Sequence, residues 1–293
     1  MCEKYSSERK EGKIPLAFGE AQFLTSDNEI IPLKPHALAR LYGRLIGCAG
    51  LYAFYYYFKW PAIRQFINFK TKRTLEVGAG TGVFTFEVAK LLQEESKIFA
   101  LDLDPHCIEI GDEIAKKGKF KNVQFMQGDI RYLLSEDKFD QILAFDVLEH
   151  IDDDSLALTE MNAALELHGL LVVSVPTLLF PKCFGKSWAE AIGHVRDGYS
   201  LEELQVKFEN KGFRILRYSY YGRYWVSRCF VILSHILNPH IPYTRLNIRR
   251  IEWLLPALRY LALPFDDPCA DARSIGLAVL AEKVDNTERQ TSE

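Results

Sequence analysis

The chain has no pair of cysteines close enough to suggest a metal site or a disulfide framework. Cys2, Cys48, Cys107, Cys183, Cys229 and Cys269 are scattered singly along 293 residues. Structural zinc needs closely spaced Cys/His pairs, so none is expected, and isolated thiols suit a reducing compartment. An excess of one charge is also lacking, since 36 Lys and Arg against 39 Asp and Glu leave a net charge of −3. Without a sequence-wide basic field, no nucleic-acid partner is expected. Nor is there a long apolar run. The stretch Leu45–Phe58 covers 14 residues, short of the ~20 that a membrane-spanning helix needs. The polar start MCEKYSSERKEGK is unlike a secretory signal. These absences together predict a cytoplasmic protein.

What is present is an ordinary globular composition, 48% hydrophobic and 26% charged, on a chain long enough for a sizeable core. The aromatic share of 13% leans toward a partner with an apolar body. Residues 1–34 read as a flexible segment. From Pro35 the spacing of Leu38, Leu41, Tyr42 and Leu45 predicts a helix that stops near Pro61. Strands are expected at 73–77, 97–103, 122–127, 139–145, 170–175, 213–221 and 274–284. Helices are expected from the glycine turn to about Leu92, from Pro105, over 154–167, and over SLEELQVKFENKG with a stop at Gly212. This alternation predicts a parallel sheet with helices on both faces. The apolar run LLVVSV fits a strand buried on both sides. One domain is expected over 35–284, with a disordered tail at 285–293.

The chemistry is concentrated in Leu75-Glu76-Val77-Gly78-Ala79-Gly80-Thr81-Gly82-Val83-Phe84-Thr85. Glycines directly after a strand let backbone N–H groups approach a ligand closely. A dinucleotide fingerprint would place its third glycine at position 83, which is Val83, and that speaks against a nicotinamide dehydrogenase. No Gly-Lys-Ser/Thr follows, so a P-loop is excluded. The loop carries no Lys or Arg, Glu76 precedes its first glycine, and Asp102, Asp129 and Asp146 fall at the expected carboxyl ends of the next strands. Ligands of open α/β sheets bind at those ends. Such an acidic ring repels a pyrophosphate and suits an ammonium, a sulfonium and ribose hydroxyls, the groups of S-adenosylmethionine.

The stretch 75–85 resembles the first motif of the class I S-adenosylmethionine-dependent methyltransferases, acid-x-Gly-x-Gly-x-Gly. The similarity continues through ALDLDP (100–105), QGDI (127–130), FDQILAFDVLEHIDD (139–153) and GLLVVSVPT (169–177), in the family's order. It covers about half of the chain, and DVLEHI is especially like the ubiquinone/menaquinone-type branch. The resemblance implies a Rossmann-like doubly wound sheet of seven strands, mostly parallel, with an antiparallel last strand. It implies that Glu76, Gly78, Gly80 and Gly82 hold the methionine part of S-adenosyl-L-methionine. Asp102 is similar to the acid at the ribose hydroxyls, with Asp104 as an alternative. Asp129 resembles the acid at the adenine amino group, or else caps a turn, and Ile130 packs beside the ring. Phe145 and Asp146 line the methionine end. The family's usual Gly-Gly before strand five is His168-Gly169 here.

Methyl transfer from a sulfonium is an in-line displacement, so the protein mainly aligns donor and acceptor and excludes water. A general base matters only where the acceptor hydroxyl carries a proton. His150 and His194 are the candidates, and the alternative for each is a structural role in its loop. Arg196 and Tyr199, in the same segment as His194, are candidates for substrate contact. The sequence shows no clustered His/Cys/Asp site, so no metal is assigned.

The stripes Val226, Phe230, Leu233, Leu237 and Ile251, Leu254, Leu255, Leu258 predict a helical insertion over 222–265. With the helix at 35–60 it would form a cap that selects the acceptor, or else belong to the core or to a dimer face. The acceptor expected is small and apolar or aromatic, with O-methylation placed ahead of C-methylation. A quinone- or lipid-precursor methyltransferase at a membrane surface, or a non-catalytic cofactor-binding protein, are the alternatives. Basic residues at Arg64, Lys70, Lys72, Arg73, Arg245, Arg249 and Arg250 leave peripheral membrane contact open.

Overall fold

Glycine turns and buried apolar strands set the architecture. The structure, a computed structural model, describes residues 23–24, 30–31, 54–133, 138–225, 227–228 and 273–285. Seven strands form one sheet: β1 (Arg73–Val77), β2 (Lys97–Asp102), β3 (Val123–Gln127), β4 (Phe139–Phe145), β5 (Leu165–Pro176), β6 (Phe213–Arg223) and β7 (Ser274–Lys283). Their order is β3-β2-β1-β4-β5-β7-β6. The first five run parallel, and β7 lies antiparallel between β5 and β6. The expected doubly wound sheet with an antiparallel last strand is therefore present. Phe23–Leu24 and Ile30–Ile31 pair separately as a short antiparallel ladder.

Alternation along β4 shows how both faces are covered. Ile142 and Ala144 pack with Leu171, Val173, Ala157, Leu158, Met161, Leu204 and Phe208 in one cluster. Leu143 and Phe145 pack with Val172, Ala62, Ile63, Val88, Phe180 and Cys183 in another. The helices on the two faces are α1 (Phe54–Arg64), α2 (Val83–Ala89), α3 (Pro105–Gly118), α4 (Asp154–Ala164), α5 (Phe180–Phe184), α6 (Lys186–Ala191) and α7 (Leu201–Asn210). Local chemistry fixes their starts. Asp104 accepts from the His106 amide at the head of α3, with Pro105 as its first residue, and the Ser200 side chain accepts from the Glu203 amide at the head of α7. Gly212, at φ +79, follows α7 and provides the expected glycine stop.

Three boundaries differ from expectation. Pro61 lies inside α1 and does not end it. Ala62 and Ile63 beyond it are buried under the sheet, and that burial outweighs the loss of one intrahelical bond. Helix α4 ends at Ala164, three residues early, because Leu165 is buried and pairs with Phe139 at the start of β5. Helix α2 ends at Ala89 where Leu92 was expected. His168 takes a left-handed conformation, φ +61, where the family has glycine, at a cost of about 1 kcal/mol.

Among the described residues no helix is long and apolar enough to cross a membrane. The helix expected over 35–60 is described only from Phe54, and the insertion expected over 222–265 only as far as Arg228. Apart from Phe23–Leu24, Ile30–Ile31 and Asp285, the segment 1–34 and the tail, with the rest of the cap and the Arg245, Arg249 and Arg250 patch, lie outside the described residues.

Candidate functional site

Strands β2 and β4 flank β1, and crossovers leave these strands toward opposite faces. A crevice therefore opens at the carboxyl ends of β1 and β4, the place where open α/β sheets bind ligands. The glycine loop turns there. Gly78 has φ +67, and a Cβ added to it would lie 2.5 Å from Cγ2 of Val147, so packing alone requires glycine. Gly80, at φ +53, differs: its added Cβ would meet nothing within 4 Å. That side of the loop is an open cradle.

Asp102 ends β2 and grips the loop. Its Oδ2 accepts from the Gly80 amide at 2.7 Å and its Oδ1 from the Asp104 amide at 2.9 Å. A carboxylate offers about four lone-pair positions, so two remain for hydroxyl donors. Asp104 uses Oδ1 to accept from the His106 amide at 2.9 Å and is thereby engaged as a helix cap. Glu76 is 2% exposed and accepts from the Thr85 hydroxyl at 2.6 Å. Burial pushes its carboxyl up to about 8, with the Thr85 bond and Lys59 pulling the other way.

Asp129 caps the 3-10 turn Ile130–Tyr132 and is chelated by Arg131, whose guanidinium reaches its Oδ2 at 2.6 Å. Burial raises the Asp129 pKa, but the Arg131 bonds prevail and hold it below the ordinary value. An adenine amino group would have to share these oxygens with Arg131. Ile130 is buried beside it.

At the end of β4 the sequence reading missed a residue. Lys59 of α1, 1% exposed, points its Nζ at Asp146 Oδ2, 2.6 Å away. The same Nζ lies 5.0 Å from the Phe84 ring centre and 5.7 Å from that of Phe145, and these two rings meet edge-on. Asp146 itself is held at φ +55 and accepts from the Ser174 hydroxyl at 3.3 Å. The signal was a lone cation inside the aromatic run Tyr55-Tyr56-Tyr57-Phe58-Lys59-Trp60. A buried cation there requires an acid, and the sequence does not say which one.

Past β4, the 3-10 turn Leu148–His150 meets the segment that follows α6. The Val195 amide donates to the Glu149 carbonyl at 2.9 Å, and His150 Nδ1 lies 3.1 Å from the Gly193 carbonyl oxygen. A carbonyl only accepts, so Nδ1 carries the proton and the bare lone pair of His150 is on Nε2. The His150 and His194 rings lie edge-on at 4.8 Å, and His194 stacks on Phe180 at 5.3 Å. Burial lowers the pKa of both, with His150 further repelling the charged form of His194, which falls to about 4. Both imidazoles are thereby biased toward the neutral form. Glu149, 1% exposed, has two buried carboxylate oxygens without a hydrogen-bond partner among the described residues, and His194 Nδ1 has none among them either. Burial, then the neighbouring Asp146, raises the Glu149 carboxyl well above the ordinary range. The ligand atoms of Glu149, His150 and His194 lie within 4.8 Å of one another, a cluster that linear spacing concealed.

Arg196 and Tyr199 are placed elsewhere. The Arg196 guanidinium pairs with Asp154 at 2.8 Å and with Glu203, and stacks 3.8 Å from the centre of the Tyr199 ring. Tyr199 is fully buried and donates to Asp154 at 2.8 Å. These contacts tie the segment carrying His194 to α4 and α7, and they leave the Arg196 charge near enough to Glu149 to oppose the rise of its pKa.

A methyltransferase-domain family pattern matches residues 68–212. A ubiquinone/menaquinone biosynthesis C-methyltransferase of Teredinibacter turnerae is 32% identical over 103 residues, 34% of this chain and 41% of that protein. A demethylmenaquinone methyltransferase of Staphylococcus aureus is 29% identical over 167 residues, 49% of this chain and 68% of that one. The chain thus spans about two fifths of the first relative's length and two thirds of the second's. In fold, phosphoethanolamine N-methyltransferase 2 of Haemonchus contortus, solved with S-adenosyl-L-methionine, superposes with a TM-score of 0.54 at 17% identity, covering 77% of this chain and 52% of that one. A putative sarcosine dimethylglycine methyltransferase of Galdieria sulphuraria gives 0.52 at 17%, covering 74% and 80%.

Proposed function

Since this chain belongs to the class I S-adenosylmethionine-dependent methyltransferases, with relatives in the ubiquinone/menaquinone-type branch, we propose that its acceptor is a small apolar or aromatic molecule, methylated on oxygen ahead of carbon. The cofactor supplies a methyl group activated on a sulfonium. In this reading the open side of Gly80 receives the methionine part, between Gly78 and Gly82 and beside Glu76. Asp102 accepts from the ribose hydroxyls with its two remaining lone-pair positions. Ile130 packs against the adenine and Asp129 lies at its amino group. Phe145 and Asp146 line the methionine end.

The observation that carries the acceptor reading is the pair of imidazoles, His150 and His194, whose rings meet edge-on at 4.8 Å beside the carboxyl end of β4. A neutral imidazole can take a proton at pH 7, which a hydroxyl acceptor needs to release. Phe180, buried in the core, stacks on His194 and fixes that ring from beneath. Arg196 and Tyr199 act here as positioning residues, holding the His194 segment against α4. The second reading, carbon methylation of a quinone precursor, is favoured by the names of the relatives.

The test offers isotopically labelled cofactor to the purified chain with phenolic and demethylated-quinone acceptors, and locates the label by mass spectrometry and NMR. Label on a phenolic oxygen is the expected result. Label on ring carbon alone favours the second reading, and cofactor binding without transfer to any acceptor class points to a non-catalytic binder.

A further inference from the structure

We propose that Glu149, His150 and His194 form a binding site for one divalent transition-metal cation. Three observations meet at this point. The ligand atoms of the three side chains lie within 4.8 Å of one another. Among the described residues, both Glu149 oxygens are buried without a hydrogen-bond partner, as is Nδ1 of His194. The Gly193 carbonyl, 3.1 Å from His150 Nδ1, orients that ring with its Nε2 lone pair outward, the arrangement in which metal-binding histidines are normally held. A buried polar group without a partner needs an explanation, and a carboxylate beside two imidazoles has a simple one in a cation.

The donor set selects the ion. Two nitrogens and one carboxylate suit zinc, manganese, iron or cobalt, whereas calcium and magnesium prefer sites built of oxygen alone. Metal–ligand bonds of about 2.0–2.2 Å place ligand atoms about 3–3.5 Å apart, so binding closes the trio by about an ångström of side-chain rotation. Charge favours it as well. Lys59 and Arg196 are cations near Glu149, and Asp146 pairs with the first while Asp154 and Glu203 pair with the second, which leaves the Glu149 carboxylate to balance the metal. Three protein ligands leave coordination positions open for an acceptor oxygen. A metal-bound hydroxyl releases its proton more readily, so the ion would take over the task of a base. That consequence rests on the oxygen-methylation reading above, but the location of the site does not.

The test uses the full chain without an affinity tag, titrated with Co²⁺ alone and followed by visible absorption and calorimetry. One Co²⁺ per chain is expected, weakened at least about tenfold by Glu149→Gln and by His194→Gln. S-adenosylmethionine affinity, measured on the same samples, reports separately on the methyltransferase reading and should stay within about twofold if the variants are folded. In the unaltered chain, Mn²⁺ should broaden the ring-proton resonances of two of the seven histidines before the rest, which keeps the proposal testable if both variants fail to fold. No stoichiometric Co²⁺ binding, binding indifferent to both substitutions, or uniform broadening of all histidines would overturn the site.

Discussion

Replacing Lys59 with Met tests how the methionine end of the crevice is held together. The side chain is 1% exposed, and its ammonium sits 2.6 Å from Asp146 and above the Phe84 and Phe145 rings. Met keeps the unbranched shape and removes only the charge. Removing one partner of a buried ion pair costs about 3–5 kcal/mol, because the other charge is left without compensation. Asp146 retains 22% of its side-chain exposure, so water shields it in part, and the lower figure of about 3 kcal/mol applies. For a chain of this size that is a fall in Tm of roughly 6 °C. The assay is urea unfolding at pH 7.5 of the parent chain, Lys59→Met, Asp146→Asn and the double variant. Asn tolerates the left-handed backbone at position 146, so the neutral partner introduces little strain. The double variant should recover at least about 2 kcal/mol of the loss, since neither charge then remains. A loss below about 1 kcal/mol, or an equal loss in the Asp146→Asn background, would refute the reasoning.

Two further outcomes follow from the crevice. Asp102→Ala removes the acceptor proposed for two ribose hydroxyls, at about 1.5–3 kcal/mol each, so calorimetry should show S-adenosylmethionine affinity falling at least about tenfold. An unchanged affinity would move that role to another acid. Glu76, with its folded carboxyl at about 8 against an ordinary 4.5, binds its proton more tightly folded than unfolded. Its contribution to stability is complete below about pH 4.5 and is lost as pH rises through about 8. Denaturant midpoints of the cofactor-free chain should therefore fall relative to Glu76→Gln between pH 5 and pH 8.5, and parallel profiles would sink this assignment.

The legible parts of the sequence were those whose cause is local. The glycine loop, the strand ends at Asp102 and Asp146 and the seven strands all follow from spacing within a few residues. Pro61 and Leu165 misled because burial under the sheet, a tertiary effect, outweighed the local helix signals. Lys59 could not be assigned because its acid, Asp146, lies on the far side of four strands in the sequence. Likewise, His150 and His194 could be named singly, but their meeting with Glu149 depends on how the loop after α6 folds back onto β4. Arg196 and Tyr199 were credible substrate contacts by position. Only the buried carboxylate of Asp154 reveals how their polar atoms are used.

The placement of β7 between β5 and β6 also has a consequence for the order in which the molecule assembles. A ribosome that has synthesised everything up to Arg273 has released β1 to β4, with Gly80 already able to donate to Asp102. It has not released the strand that hydrogen-bonds along both β5 and β6. Until then both strands present unpaired edges, the condition that invites pairing with other chains. The Thr177 hydroxyl waits for the Ser274 carbonyl, 97 residues later, and their 2.6 Å bond forms only when that strand arrives. The nascent chain therefore completes β1 to β4 well before its sheet is closed, and its exposure to aggregation lasts until β7 has emerged.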